Sequence, residues 1–186
     1  MRTLTLDIGG TKFTVAAFEG TQMVRRQSHA TDREGGREWL LAQLAPIIGS
    51  WHNETAFHRC GISFGGPVNW TTQMVATSTH VGGWSDFDFP AWVHTVLGSL
   101  PVRMDNDANA GALGEYLYGA GQRCSPLFYM TVSTGIGGGI LIDGKVLRGP
   151  DSWAGEIGHL NVRARRSLLP LRLKRLPRAH VLRALA

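Results

Sequence analysis

The chain has 186 residues, of which 43% are hydrophobic and 18% charged, values typical of a globular protein with one or two domains. No apolar run reaches the roughly 18 residues that a membrane-spanning helix requires, and the two cysteines, Cys60 and Cys124, are too few for a disulfide framework or a zinc knuckle. Residues 163–186 hold eight of the nineteen Lys and Arg residues and no Asp or Glu, so the net charge of +5 comes from this tail and says nothing about nucleic acid binding by the rest of the chain. We expect a cytoplasmic protein with reduced thiols and no membrane partner.

Strand and helix patterns alternate along the chain, and three adjacent strands come first. Alternating and β-branched runs predict strands at 3–8, 13–18, 23–28, 60–64, 74–76 and 101–104. Apolar residues at helical spacing predict helices at 37–48, with Gly49 as the C-cap, at 90–97 and at 108–118. Further strands are predicted from 126 through 145–147 and 157–162. This order predicts an α/β fold with a mixed sheet flanked by helices.

One glycine-rich pattern occurs twice, about 125 residues apart, each time between two predicted strands. The first copy is Gly9-Gly10-Thr11-Lys12, and the second is the segment 133–139, read as a turn before a strand at 140–142. Glycines in a tight turn let backbone N–H groups converge on an anion, and the hydroxyls of Thr11, Ser133 and Thr134 add donors. The repetition predicts a duplicated fold that binds a polyphosphate from both sides, as in a nucleotide-using enzyme.

Three acidic positions admit two interpretations each. Asp107 ends a predicted strand and begins a helix, where it is either a general base in a cleft or a helix N-cap. Asp7 follows an apolar strand and either binds Mg²⁺ through water or forms an Asx turn. Glu156 and His159 either bind the hydroxyls of a sugar ring or form a structural pair.

Five motifs together resemble the ROK family (repressor, open reading frame, kinase) of sugar kinases, in family order and spacing over residues 1–162. They are LDIGGTK at 6–12, GGP at 65–67, DNDANA at 105–110 followed by GE at 114–115, STGIGGG at 133–139, and GEIGH at 155–159. The resemblance implies the actin-like ATPase (ribonuclease H-like) fold, in which two related domains close over nucleotide and sugar. We therefore predict an N-terminal domain at 1–118 and the start of an incomplete second domain at 119–163.

The resemblance also implies roles for these residues in the transfer of the γ-phosphoryl group of ATP to a hexose, with Asp107 as the base. Sugar binding is implied for Gly66, Asn106, Asp107, Glu156 and His159. ATP with Mg²⁺ is implied to bind Asp7, Gly9, Gly10, Thr11, Lys12, Ser133, Thr134, Gly135, Gly137 and Gly138. Asp7 would hold the Mg²⁺ through water. Glucose is the first substrate we expect, with N-acetylmannosamine, another N-acetylhexosamine or fructose as alternatives.

The sequence departs from the family pattern at three places. In zinc-containing relatives the residue matching His159 binds zinc with three cysteines of a following segment, and those cysteines are absent here. We therefore expect no zinc site. His80 stands where relatives usually have Asn in a loop that contacts the sugar, which leaves the identity of the sugar open.

A third departure is residues 164–186, which are built almost wholly from Leu, Arg, Ala and Pro. We favour a break in the reading frame near Ala164; a basic arm that binds nucleic acid or a membrane, and a solvated extension, are the alternatives. On the first interpretation we expect little or no kinase activity from this chain, and self-association, including a homodimer.

Two other classes of protein are possible for such a sequence, a sugar-binding regulator and an actin-like protein that does not act on sugars. Sugar-binding regulators of the ROK family carry an N-terminal helix-turn-helix, for which the six residues before Asp7 leave no room. Actin-like proteins of the chaperone or cytoskeletal type lack the sugar-binding residues. We therefore expect a sugar kinase.

Overall fold

The computed structural model describes residues 1–78, 81–133, 135–150 and 152–160. Its elements in chain order are β1 (Arg2–Ile8), β2 (Lys12–Glu19), β3 (Gln22–Ala30), α1 (Gly36–Glu54), β4 (Arg59–Phe64), β5 (Val68–Asn69), β6 (Met74–Val75), α2 (Phe89–Leu97), β7 (Val102–Asn106), α3 (Asp107–Tyr118), β8 (Leu127–Val132), β9 (Ile136–Ile142) and β10 (Lys145–Val146). No helix in these ranges is long and apolar enough to span a bilayer.

The main sheet is mixed, with strand order β3-β2-β1-β4-β7. β1 pairs antiparallel with β2 and parallel with β4, and β4 pairs parallel with β7. The carboxyl ends of the three parallel strands therefore lie at one edge of the sheet. This edge carries Asp7 on β1, Ser63 on β4 and Asp105 on β7, which are consecutive partners in the register.

The hydrophobic core lies between this sheet and the helices α1 and α2. Leu4 and Leu6 of β1 are fully or almost fully buried, as are Leu44 of α1 and Phe89 of α2. The prediction that α1 ends at a Gly49 C-cap is wrong, because the helix continues to Glu54. Trp51 extends the buried stripe by one turn and is only 2% exposed, so packing favours the longer helix over a glycine stop.

Helix α3 packs against strands of both the main sheet and a second, three-stranded sheet of order β10-β9-β8. Glycines make this packing close. A Cβ atom at Gly139 would lie 2.5 Å from Ala108 O and 2.6 Å from Ala112 Cβ. Gly111 of α3 faces Tyr129 of β8, whose ring would lie 2.8 Å from a Cβ there.

This packing corrects the prediction of a glycine turn spanning 133–139. β9 begins at Ile136, and Gly137, Gly138 and Gly139 pair with β8 inside the strand. The turn is therefore limited to residues 133–135, of which Thr134 lies outside the described residues. The three glycines of the strand allow close approach of neighbouring backbone and helix, which periodicity along the chain does not reveal.

One edge of the main sheet is closed by a side chain. The outer edge of β7 meets Gln73, whose Nε2 donates to Met104 O at 3.3 Å and whose Oε1 accepts from Met104 N at 2.7 Å. Gln73 has φ 59°, in the left-handed region, at the turn between β5 and β6. The sequence did not predict β5.

Most other predicted elements are present with shifts of one or two residues at their ends. The predicted strand at 157–162 is wrong where it is described, since Ile157–His159 form a 3₁₀ turn. Glycines on both sides of Glu156 favour this tight path over an extended strand. Residues 161–186, including the anomalous tail, lie outside the described residues.

Candidate active site

The first glycine segment forms a tight turn between β1 and β2, closed by a hydrogen bond from Gly9 N to Lys12 O of 3.0 Å. The residues after β3 bind this turn through its oxygen atoms. Thr31 donates its hydroxyl to Gly9 O at 3.0 Å and its amide to Thr11 O at 2.9 Å. Arg33 donates from Nε to Gly10 O at 2.7 Å and from Nη2 to Thr11 Oγ1 at 3.3 Å. The turn is thus fixed, with a cation beside it.

Asp7 lies at the end of β1, immediately before the turn, and is exposed. Its Oδ1 accepts a hydrogen bond of 2.9 Å from Ser63 Oγ on β4. This bond orients one carboxylate at the edge of the sheet where the parallel strands end. A single carboxylate with several waters and phosphate oxygens is a usual environment for Mg²⁺, so Asp7 fits that ion.

Asn106 caps helix α3. Its Oδ1 accepts from Ala108 N at 2.9 Å and from Asn109 N at 3.4 Å, and its Nδ2 donates to Gly66 O at 3.2 Å. The backbone of Gly66 is closely packed, since a Cβ there would lie 3.0 Å from Thr77 O. Asn106 and Gly66, both predicted at the sugar site, are therefore in direct contact.

Asp107 is the first residue of α3 and lies beside both glycine segments. A Cβ at Gly65, which adjoins Gly9, would lie 3.7 Å from Asp107 Oδ2, and a Cβ at Gly137 would lie 3.3 Å from the Cβ of Ala108. Since Asn106 provides the cap, the alternative interpretation of Asp107 as the N-cap is wrong. The Oδ1 atom of Asp107 accepts from the adjacent Ala108 N at 2.8 Å.

The surroundings raise the pKa of Asp107 above its ordinary value. Burial of the carboxyl group, which removes water from around it, is the main cause, and the negative charges of Asp7 and Glu156 act in the same direction. The hydrogen bond from Ala108 N partly opposes them. The carboxylates of Asp7 and Glu156 therefore both lie close enough to act on that of Asp107.

Glu156 owes its position to the glycines on either side of it. A Cβ at Gly155 would overlap Gly138 O, and a Cβ at Gly158 would overlap Ile136 O, so this segment lies directly against β9. The side chain of Glu156 is 25% exposed, whereas that of His159 is 78% exposed and lies 4.0 Å away from it. The structure brings Glu156 towards Asp107 and leaves His159 at the surface.

The second glycine segment contributes less exposed backbone than the sequence suggested. Ser133 and Gly135 lie in the turn, with Ser133 N donating to Gly135 O at 2.8 Å. Gly137 and Gly138 lie in β9, where their small size is already explained by packing. Lys12 is exposed at the start of β2.

Within the described ranges, no three His, Cys, Asp or Glu side chains come close enough together to hold a metal ion directly. Cys60 is buried and Cys124 exposed, and neither joins His159 in a metal site. His80 lies outside the described residues.

The sequence reasoning missed three residues that position the site, namely Thr31, Arg33 and Ser63. Ser63 was detectable in principle, because it occupies the next-to-last position of β4 as Asp7 does in β1, and parallel neighbours end at the same edge. Thr31 and Arg33 gave no such signal, since their contact with the turn depends on the path of the chain after β3.

Comparison with known proteins agrees with this arrangement. A model of the ROK family matches residues 3–171, which extends past the change of composition at Ala164. Over 163 residues the chain is 32% identical to a glucokinase of Halalkalibacterium halodurans, covering 84% of this chain and 49% of the relative. It is 34% identical over 157 residues to an N-acetylmannosamine kinase of Yersinia pestis, covering 84% of this chain and 52% of the relative.

Solved structures give the same fold. A ROK family glucokinase from Streptomyces griseus, in complex with glucose and AMPPNP, matches with a TM-score of 0.78 at 30% identity, covering 88% of this chain and 51% of that one. A ROK family transcriptional regulator, homologous to the E. coli MLC protein, matches with a TM-score of 0.75 at 25% identity, covering 88% and 42%. The expected actin-like ATPase fold is confirmed, and the chain spans about half the length of the curated relatives it matches.

Proposed function

The chain belongs to the ROK family, and on that premise we propose that it provides the sugar-binding and phosphate-binding residues of an ATP-dependent hexose kinase. The observation that carries the proposal is the position of Asp107, between the Gly9–Lys12 turn and the β8–β9 hairpin and facing Glu156. Phosphoryl transfer depends mainly on positioning and on neutralising charge. A cleft that offers a base beside two phosphate-binding turns suits this reaction.

Asp107 acts as the general base. Its carboxylate accepts the proton of the attacking sugar hydroxyl, and its raised pKa makes it a stronger base than an ordinary carboxylate. Because it is fixed at the first position of α3, the acceptor oxygen has a defined place relative to the turn.

The phosphates of ATP bind beside Asp107, in two glycine-rich turns. Gly9, Gly10, Thr11 and Lys12 form the first cradle, and Arg33 adds positive charge to it. We expect Ser133, Thr134 and Gly135 to form the second, with Thr134 outside the described residues, while Gly137 and Gly138 support it by packing. Asp7, oriented by Ser63, would hold Mg²⁺ through water, and the bound ion would neutralise charge on the phosphates.

Sugar specificity comes from Asn106, Gly66, Glu156 and His159, with Asp107 shared between binding and chemistry. Glu156 is half-enclosed and faces Asp107, so its carboxylate can accept a hydroxyl at a fixed distance from the reacting one. Glucose, phosphorylated at O6, is the substrate we propose first. N-acetylmannosamine is the main alternative, because relatives of both names match this chain at similar identity.

The test separates binding from turnover. Titration calorimetry of the chain with glucose, N-acetylmannosamine and fructose, in the presence of an unreactive ATP analogue, should give saturable binding of one sugar that Glu156→Gln weakens. Because we expect little or no turnover from this chain alone, a coupled ADP assay over the same panel uses a full-length kinase that contains residues 1–160, and it should give sugar-dependent ADP formation that Asp107→Asn abolishes while sugar binding remains. Binding of no sugar, or ADP formation that is independent of sugar, would contradict the proposal.

A sugar-binding regulator is the second candidate, supported by the match to the ROK transcriptional regulator over the same region. It predicts sugar binding without sugar-dependent ADP formation. The presence of Asp107 beside a complete first phosphate turn favours the kinase.

A further inference from the structure

Arg148 connects the second sheet to the main one. It follows β10, and its Nη2 donates to Asp105 Oδ2 on β7 at 2.5 Å. The two side chains are only 19% and 15% exposed. This ion pair is therefore largely removed from solvent. It joins β7 to the segment after β10, and both of these strands contact α3.

A second contact reinforces the connection. The guanidinium carbon of Arg148 lies 3.6 Å from the centre of the Trp70 ring, so the indole covers one face of the cation. Trp70 N also donates to Ser152 Oγ at 3.3 Å. The loop after β10 is thus attached to the β5–β6 turn through Trp70 and to β7 through Asp105.

The two ends of the ion pair lead to two carboxylates of the proposed site, Asp107 and Glu156. Asp105 Oδ1 accepts from Asn106 N at 2.9 Å and from Asn109 Nδ2 at 3.1 Å, which fixes the junction where Asp107 begins. Arg148 O accepts from Ala154 N at 2.9 Å, two residues before Glu156. The pair therefore links the backbone next to Asp107 with the segment that carries Glu156.

Stability alone is a weak reason for such a pair. Desolvation of two charges offsets much of their attraction, so a buried ion pair contributes little net stability compared with apolar side chains of similar size. Among the described residues, Arg148 Nε and Asn109 Oδ1 also lie buried without hydrogen-bond partners, which adds to the cost. What the pair does supply is a fixed geometry between the two sheets.

We propose that Arg148 is a positioning residue whose ion pair with Asp105 sets the separation of Asp107 and Glu156, and so determines which arrangement of sugar hydroxyls the cleft accepts. The reference to sugar rests on the proposed function. The structural part, that the ion pair holds the Glu156 segment in place, does not require catalysis.

The main variant replaces both partners, Arg148→Met with Asp105→Asn, so that no uncompensated charge stays buried. Arg148→Lys keeps the cation without the planar fork, and Arg103→Met is the control, because Arg103 is an exposed arginine of β7 whose Nη1 bonds only to the adjacent Val102 O among the contacts described. Circular dichroism and thermal unfolding establish that each variant is folded.

Amide hydrogen exchange tests the structural part. In the double variant the amides of Ala154 and Ile157 should exchange at least about tenfold faster, while those of β1 remain as protected as in the unmodified chain. Arg148→Lys should give an intermediate change and Arg103→Met none. Unchanged exchange at Ala154 and Ile157 in a folded double variant would overturn the inference.

Sugar binding tests the functional part. The dissociation constant of the preferred hexose should rise about tenfold in the double variant while that of a weakly bound epimer changes little, so that discrimination is lost, and affinity for ATP should not change. An equal loss for all ligands in parallel with the melting temperature would mean that Arg148 is merely structural. If the unmodified chain binds no sugar, the proposed function fails, and hydrogen exchange alone decides whether the ion pair holds the Glu156 segment.

Discussion

Asn106 and Asp107 divide two tasks at the start of helix α3: Asn106 caps the helix through its Oδ1, 2.9 Å from Ala108 N, and Asp107 presents its carboxylate beside Gly65. Either an amide or a carboxylate side chain can cap a helix, so without Asn106 the Asp107 carboxylate could take over the capping role. With both present, the acid is held at the helix N-terminus without being used up as its cap.

Asp107→Asn should abolish proton acceptance while preserving the fold. We expect sugar-dependent ADP formation to fall by about 10²- to 10⁴-fold, the usual contribution of a general base. Asn retains an oxygen that can accept from Ala108 N, so the local geometry is kept. The check is a coupled ADP assay on the same full-length kinase, with Glu19→Gln as a control because Glu19 is exposed at the end of β2 and pairs with Arg2, at the end of β1 remote from Asp7; undiminished activity of Asp107→Asn would remove Asp107 from the mechanism.

The same variant makes a prediction about the pH dependence of stability. The pKa of Asp107 is raised in the folded chain, so the unfolded chain ionises first as pH rises. The folded state therefore loses stability as pH rises from the ordinary carboxyl pKa through the raised one, and this loss persists at neutral pH. We expect Asp107→Asn to melt at the same or a higher temperature than the unmodified chain at pH 7, and the difference to vanish below about pH 3. A lower melting temperature at pH 7 would count against the carboxylate cluster.

The two cysteines should differ sharply in reactivity. Burial raises the pKa of Cys60 to about 12, so its thiolate is scarce at neutral pH, while Cys124 is exposed. Ellman's reagent should modify one thiol per chain rapidly and the second only after unfolding. Cys124→Ser should eliminate the rapid phase; rapid labelling that survives this change would mean that Cys60 is accessible.

Gly139→Ala should destabilise the packing of α3 on the second sheet. The added methyl group would lie 2.5 Å from Ala108 O, a backbone atom that cannot rotate away. We expect a loss of about 1–3 kcal/mol in the free energy of unfolding, measured by urea denaturation. Gly61→Ala is the matched control, because nothing lies within 4 Å of a Cβ there, and Ala is favoured over Gly in a strand by roughly 0.5–1 kcal/mol.

Arg33→Met should weaken nucleotide binding by removing the two bonds to Gly10 O and Thr11 Oγ1 together with a positive charge. We expect the dissociation constant for ATP to rise by about 3- to 10-fold, less at high salt because Arg33 is exposed. Calorimetric titration measures this. Arg59→Met removes a similar bond, Arg59 Nε to Thr3 Oγ1, at the opposite end of β1 and should leave ATP affinity unchanged; equal effects of the two variants would argue against a local role for Arg33.

Local pattern was sufficient for most of the main sheet. Strand alternation predicted β1 to β4, and it placed Asp7 and Asp107 at strand ends, where the structure has Asp7 near the end of β1 and Asp107 at the start of α3, directly after β7. Pattern failed where distant packing decides the local structure. Gly49 lies inside α1 because Trp51, two residues later, is buried, and Gly137 to Gly139 lie inside β9 because α3 and Gly155 approach them.

The contacts that hold the site together were the least predictable. Arg148 and Asp105 lie 43 positions apart in the chain, and Arg33 and Thr11 lie 22 apart. Nothing in the residues near Arg148 distinguishes it from other surface arginines, because its partner depends on how the second sheet sits against α3. Such pairs require the tertiary structure.

The double hydrogen bond between the Gln73 amide and the backbone of Met104 has a consequence for the behaviour of the molecule in concentrated solution. An edge strand with unpaired backbone N–H and C=O groups can pair with a strand of another molecule and so start aggregation. Gln73 occupies both the N–H and the C=O of Met104 in the middle of β7. A strand that paired there would first have to displace these two hydrogen bonds. This contact should therefore oppose fibril-like association at β7, together with the exposed charge of Arg103 on the same strand.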